Sequence, residues 1–352
     1  MSEIIIRTNG RGNAWPVLLG QQHPFYDGSK PDELANASFS VIKREPHSKI
    51  IEREILIDAG HGTIPFLMKH QNRIPEAIVL THPHIDHTLL LDWIAQSHFR
   101  LKGTKFPVYA SKMCWDLTLQ FFPQLEKIVE FKELLPGKAL IIEEFSDLEI
   151  TFYPVFHGES ALGAGMIYIK HQDNSIVSKA LFTGDVLCPL LRKMDYQELL
   201  GCEVIYTDSN NRFPYPKSNH WSISKLENEG KTESKYFIDW LTEKGSMLTW
   251  LIRPNLPIEF NESIHNYLET FQNEQMAQKS LSYTVFDFVQ KIEAKQVNLI
   301  HYSGREDKVY NNSETLDDTG LENWANKLAN QLGLKSKFST PKVGDEFIWV
   351  GK

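Results

Sequence analysis

The stretch LTHPHIDHT at 80–88 places three histidines and an aspartate, His82, His84, Asp86 and His87, within six residues. It follows the apolar, β-branched run AIVLT at 77–81 and precedes the helical pattern LLLDWIAQSHF. A turn between a strand end and a helix start is where a rigid scaffold can aim side chains at one point. A buried histidine cluster is costly unless something holds it, so the turn points to chemistry. Imidazoles with a carboxylate form a donor set that suits zinc, with iron or manganese as alternatives. A turn of this kind can direct two ligands at one metal and two at a neighbouring one.

Short apolar runs bounded by Gly, Pro or polar residues recur along the chain and read as strands. They are EIIIR at 3–7, FSVIK at 39–43, EILID at 54–58, AIVLT, LEITFYPVFH at 148–157, KALFTGD at 179–185, EVIYTD at 203–208 and VNLIHYS at 297–303. Helical patterns fall near 63–71, 88–101, 219–229, 232–244, 283–293 and 321–333. The Asn- and Asp-rich run NNSETLDDTG at 311–320 reads as a loop. No internal repeat or low-complexity linker divides the chain, which reads as a single domain over 1–352. The order of elements predicts an α+β fold with mixed sheets covered by helices, not a clean βαβ repeat. The stretch 232–295, with YFIDW at 236–240 and YLETF at 267–271, reads as an inserted helical cap that could roof the site.

The composition removes several alternatives. The N-terminus lacks a basic region followed by an apolar run, and no segment approaches the ~18–20 apolar residues of a membrane span. Three cysteines, Cys114, Cys188 and Cys202, cannot all pair within one chain and form no CxxC, which favours a reducing compartment. The expectation is a cytoplasmic protein that makes no membrane contact. A formal charge of −8 disfavours a large polyanionic partner.

HPHIDH resembles the HxHxDH signature of the metallo-β-lactamase fold. LIDAG at 56–60 resembles the D-x-G strand end that precedes the signature, which sets Asp58 behind the ligands. FHGES, FTGD and LIHYS place His157, Asp185 and His301 like the family's later ligands, in the same order and at strand ends. The match spans about 58–303. It implies a four-layer αββα sandwich with metals at one edge between the sheets. His82, His84 and His157 would hold one divalent ion, and Asp86, His87 and His301 a second, with Asp185 bridging. Zinc is the first choice for both. Two such ions ~3.5–4 Å apart can share and ionise a water near neutral pH.

Within that fold, GRGNAWPV at 10–17 and NASFSVI at 36–42 resemble segments of tRNase Z and related phosphodiesterases. The pyrroloquinoline-quinone biosynthesis B protein shares this pattern. HYSGRE at 301–306 is similar to the H-x-S-x-R end of tRNase Z, which implies phosphate contacts from Ser303 and Arg305. YTDSNN and NHWSI offer Asp208 and His220 in loose likeness to the pair that serves the leaving group in tRNase Z. Here Glu has become Asp, and a Trp separates the His from the Ser. The plainer alternative is a helix from 219, capped by Ser218 or Asn219. The catalytic candidates are therefore Asp86, Asp208 and His220.

Only 27 residues separate His157 from Asp185, and that gap must also hold a strand pair, so no tRNA-binding arm fits. The most basic stretch, KREPHSKIIER at 43–53, reads as a hairpin connection. These features argue against tRNA and for a small-molecule substrate; a homodimer is left open. The reading is a dinuclear hydrolase of a small phosphodiester, a cyclic nucleotide among the candidates, acting through a hydroxide shared by the metals. The alternatives are a lactone or thioester hydrolase of the same fold, and a non-hydrolytic biosynthetic or binding protein.

Overall fold

Two sheets form the frame. The computed structural model describes residues 2–14, 35–46, 50–173, 176–215, 218–225, 266–271, 273–274 and 284–351. The strands are β1 (Glu3–Gly10), β2 (Ser38–Arg44), β3 (Ile51–Ile57), β4 (Ala77–Val79), β5 (Phe106–Ala110), β6 (Val129–Glu133), β7 (Ala139–Ile141) and β8 (Leu148–Phe156). They continue with β9 (Gly165–Asp173), β10 (Ile176–Phe182), β11 (Cys188–Pro189), β12 (Val204–Asp208), β13 (Gln296–Ile300), β14 (Lys337–Ser339) and β15 (Glu346–Val350). One sheet has the order β15-β1-β2-β3-β4-β5-β6 and the other β11-β8-β9-β10-β12-β13-β14, with β7 paired to β8.

Each sheet is antiparallel on one side and parallel on the other. Strands β3 to β6 are parallel in the first, and β10, β12, β13 and β14 in the second. The parallel sets are joined through helices, as such connections require. Their carboxyl ends converge on one edge of the molecule, and β8, antiparallel to β9 beside β10, ends there too.

Side-chain alternation along the strands builds the layers. Ile55 and Ile57 of β3 point between the sheets, where they meet a cluster containing Ile150, Ile167, Phe182 and Tyr206. Leu56 points the other way, onto Ile64, Leu67, Ile94 and Trp115 from the covering helices Thr63–Lys69, Leu91–Lys102 and Lys112–Phe121. On the far side Leu181, Ile205 and Leu299 meet Phe288 and Ala325 of the helices Val285–Ile292 and Asp318–Gln331. Three apolar interfaces between four layers are the αββα sandwich. Among the described residues no helix is long and apolar enough to cross a membrane.

Some expectations need correction. Residues 218–224 are not a helix start: Ser222 bridges Asn211 and Thr284 in an extended path. The helix Asp318–Gln331 begins inside the expected 311–320 loop, capped by the Asp317 side chain on the Gly320 N–H. The 43–53 stretch does join two antiparallel strands, β2 and β3. Most of the expected cap, YFIDW included, lies outside the described residues. The helical turn at 266–271 docks Tyr267 on Arg192 and Asp195.

The inter-sheet layer is held by Phe39, whose ring centroid lies 5.2 Å from Phe182 and 4.6 Å from Tyr206 of the facing sheet. Truncating a buried phenylalanine removes its transfer free energy and leaves a cavity, a combined cost of about 3–5 kcal/mol. Phe39→Ala should lower the unfolding free energy by that amount, read as a lower denaturant midpoint with the slope of the transition unchanged.

Candidate metal centre

Nine chemistry-bearing side chains leave the convergent strand ends or the short loops that follow them. Asp58 follows β3, His157 follows β8 and His301 follows β13, while Asp208 closes β12. The loop after β4 carries His82 and His84 into a four-residue helix, Ile85–Thr88, that presents Asp86 and His87. The loop after β10 carries Asp185.

Local backbone features allow this convergence. Asp58 and His301 both have left-handed backbones, with φ of 60° and 66°, an uncommon state for non-glycine residues. Each is tied down: the Asp58 N–H donates to Val79 O at 2.9 Å, and the His301 N–H donates to Arg11 O at 2.7 Å. Arg11 is anchored in turn by its guanidinium on both carboxylate oxygens of Asp318. Gly60 lets the loop after β3 press on the ligand loop, since a Cβ there would lie 1.8 Å from Asp86 O.

The centre of the arrangement is Asp185. Its Oδ2 lies 3.6 Å from His82 Nε2 and 3.5 Å from His157 Nε2. Its Oδ1 lies 3.4 Å from both His87 Nε2 and His301 Nε2. Asp86 Oδ2 completes the second group, 3.6 Å from His87 Nε2 and 3.7 Å from His301 Nε2. His84 joins the first group, its ligand atom within 4.8 Å of the others. Ser160 Oγ sits 3.0 Å from His84 Nε2, which leaves Nδ1 as the ligand atom.

The outer hydrogen bonds fix which imidazole nitrogens are bare. A carboxylate only accepts, so His87 Nδ1 donates to Asp58 Oδ2 at 2.7 Å. Thr81 Oγ1 donates its own proton to Asp58 Oδ2, so it accepts from His82 Nδ1 at 3.0 Å. His157 Nδ1 donates to the Asn219 carbonyl at 2.8 Å. The Nε2 atoms of His82, His87 and His157 are thus left as lone pairs aimed at a carboxylate that also only accepts. These three atoms and His301 Nε2 are buried without a hydrogen-bond partner. Acceptors facing acceptors at such distances call for cations between them, so the residues present fit two divalent ions.

The charges agree. Burial, with His87 nearby, holds His82 well below the usual histidine range, and burial with His220 does the same to His157. Burial raises Asp185, but His301, His87 and His82 outweigh it and keep the carboxyl well below its ordinary value. At His87 burial is overridden by Asp185, Asp58 and Asp86, which hold it well above its ordinary value. The three carboxylates therefore hold positive charge at this point, as a proton or as a metal.

Asp208 and His220 come together beside this cluster. His220 Nδ1 lies 2.7 Å from Asp208 Oδ2, and its ring stacks 5.2 Å from that of His301. The Val186 and Asn210 N–H groups also donate to the Asp208 carboxylate. Burial opposes the charged imidazole, yet Asp208 pushes His220 up to about 9. Asp208 thus favours the charged form of His220, and the pair loses its attraction as pH rises through the raised value.

A cavity of about 820 Å³ opens over the cluster, and Ser303 and Arg305 line it. The Ser303 hydroxyl lies 3.2 Å from Glu306 Oε2 and 3.4 Å from Asn210 O, both acceptors. Several residues around the site had no role in the sequence reading. Thr81 links Asp58 to His82, Ser160 holds His84, and Asn219 orients His157 through a backbone atom. Arg11 and Asn13 do lie in the GRGNAWPV segment, but only the fold shows what they touch.

Asp185→Asn should lose at least one of two bound metals, counted by elemental analysis of the purified protein, because an amide bridges two cations poorly. Asp58→Ala should keep both sites but weaken zinc binding by roughly 10–100-fold, because His87 loses the acceptor that fixes its tautomer. A competition titration against a chelator measures it.

Residues 53–185 match the family description β-lactamase superfamily domain. A stretch of 158 residues is 30% identical to ribonuclease Z from Methanopyrus kandleri and covers 44% of this chain and 47% of that protein. The match therefore spans about half of the relative's length. A diphosphatase from the PhnP family shares the fold at a TM-score of 0.58 and 16% identity, covering 98% of this chain and 97% of its own. Zn(2+)-bound PqqB from Methylobacterium extorquens shares it at 0.52 and 10%, with 97% and 99% covered. With two mixed sheets between helices and a His/Asp cluster at one sheet edge, the chain has the metallo-β-lactamase fold, and its residues 53–185 match the β-lactamase superfamily domain.

Proposed function

We propose that this protein is a dinuclear metal-dependent hydrolase of a small phosphodiester. The observation that carries the reading is the division of Asp185, one carboxylate oxygen facing each of two histidine groups, beneath a cavity lined also by His220, which pairs with the buried Asp208, and by Arg305. Two divalent ions held there supply Lewis acidity and bring the ionisation of a water into the neutral range.

The remaining work falls to side chains. His82, His84 and His157 hold one side of the centre, Asp86, His87 and His301 the other, and Asp185 spans them. His220, held charged by Asp208, can give a proton to a departing alkoxide, a step worth ~10²–10⁴-fold. Arg305 offers a charged planar donor fork to the phosphate. Ser303, with its hydroxyl set against Glu306 and Asn210 O, serves better to shape the wall than to bind the anion. The matched proteins named as a ribonuclease and a diphosphatase support phosphate ester chemistry. The size of the cavity and the absence of a basic arm between His157 and Asp185 favour a small substrate over tRNA.

The zinc-loaded protein should hydrolyse bis(p-nitrophenyl) phosphate, and Arg305→Ala should lower kcat/KM. Lactone or thioester turnover without phosphodiester cleavage would replace this reading with that of a carboxylic ester hydrolase. No turnover of any ester by fully loaded protein would favour a binding or biosynthetic role.

The leaving-group role has its own test. His220→Ala should leave metal content intact and slow alkyl phosphodiesters ~10²–10⁴-fold. Nitrophenyl esters, whose leaving group needs no proton, should lose far less. An equal loss on both substrates, or loss of metal, would return His220 to a structural or ligand role.

A further inference from the structure

The cavity has two unlike walls. Asn13, Asn36 and Asn210 lie on its rim, Arg305 and Glu306 sit close together, and Ile85, Leu89 and Phe121 form an apolar part. These three hydrophobics are 46%, 37% and 56% exposed, although side chains of this size are usually covered. Apolar surface continuous with a polar reaction centre is the usual makeup of a small-molecule site, where the apolar part takes the bulk of the ligand and the polar part fixes its orientation.

The strip is rigidly coupled to the ligands. Ile85 stands between His84 and Asp86, the Leu89 N–H donates to Ile85 O at 2.8 Å, and the Leu90 N–H donates to Ala59 O at 2.9 Å. Phe121 ends the helix Lys112–Phe121. Among the described residues that line the cavity, Arg305 is the one Lys or Arg, and Glu306 adjoins it in sequence. This described lining suits an anionic group with an uncharged, flat or apolar substituent.

We infer that Ile85, Leu89 and Phe121 seat an uncharged planar ring carried by the substrate's phosphate, and so set specificity. The inference rests on the phosphodiester reading and names the substituent that the reading leaves open. The ring could come from an aryl ester or from a nucleobase, and both present a face to Phe121.

Binding without turnover tests it. Methylphosphonate, phenylphosphonate and thymidine 5′-monophosphate are titrated calorimetrically into zinc-loaded protein. The anionic group is common to all three, so differences report the substituent. Phenylphosphonate should bind about tenfold more tightly than methylphosphonate, in line with the value of one stacked ring. In Phe121→Ala and Leu89→Ala the ratio of the two Kd values should fall toward one, with metal content unchanged. Thymidine 5′-monophosphate binding at least as tightly as phenylphosphonate, with the same sensitivity, would identify the ring as a nucleobase; weaker binding would identify an aryl group. Equal Kd values for the methyl and phenyl ligands, or variants that weaken both alike, would overturn the inference. Ring discrimination by a protein that cleaves no phosphodiester would overturn the functional reading alone. Turnover without discrimination would overturn the ring site alone.

Discussion

A buried carboxylate surrounded by imidazole nitrogens that carry no proton is unstable by itself. Asp185 is in that position: each of its oxygens faces two imidazole Nε2 atoms, and those of His82 and His157 carry no proton. In a medium less polar than water the repulsion between these lone pairs is not screened, and an unpaired buried acceptor costs several times what a paired one contributes. Positive charge between them reverses the sign of every contact at once. The hydrogen bonds from Asp58, Thr81 and Asn219 make sense only in that light, since each turns a histidine so that its bare nitrogen faces inward.

The sandwich exists in the form it does because these groups must come from both sheets. Asp58 and the 82–87 loop belong to the first sheet, His157, Asp185, Asp208 and His301 to the second. Two parallel strand sets running toward one edge deliver all of them without a long loop. Where the chain must turn at once after a strand, it takes a left-handed residue, Asp58 on one side and His301 on the other. The same edge needs glycines: Gly60 beneath Asp86, and Gly184 at φ 57° against Thr81. A ligand loop packed this closely has few alternative positions, which is the preorganisation that a metal centre requires.

What could be read beforehand follows from where the information lies in the chain. HPHIDH, LIDAG and FTGD carry their donors in short runs at strand ends, and the fold brings them together. Short apolar runs bounded by Gly, Pro or polar residues marked β1, β2, β3 and β8. That reading passed over β9, although its GMIYI segment is buried throughout. It also hid β14 and β15, which are short and partly exposed. The supposed helix at 219 has a reasonable cap and pattern, but its backbone is taken by bridges from Asn211 and Thr284, segments distant in sequence. For the same reason nothing in the letters could show that the Asn219 carbonyl orients His157. A backbone atom carries no residue identity, so such contacts are invisible to any reading of side chains.

The acidic balance of the chain is compatible with the anionic substrate proposed above, because the two act over different distances. Charges on the surface are screened within ~8–10 Å at physiological ionic strength. A small anion inside the cavity therefore responds to the metal centre, His220 and Arg305, not to the net charge of −8. A long polyanion extends past that distance and meets the outer surface, where repulsion accumulates with every added phosphate. A polynucleotide binder answers this with a basic arm or stripe, and the segment between His157 and Asp185 is instead used up by β9 and β10. On the phosphodiester reading, the same inventory of charge favours one phosphate at the centre over a chain of them.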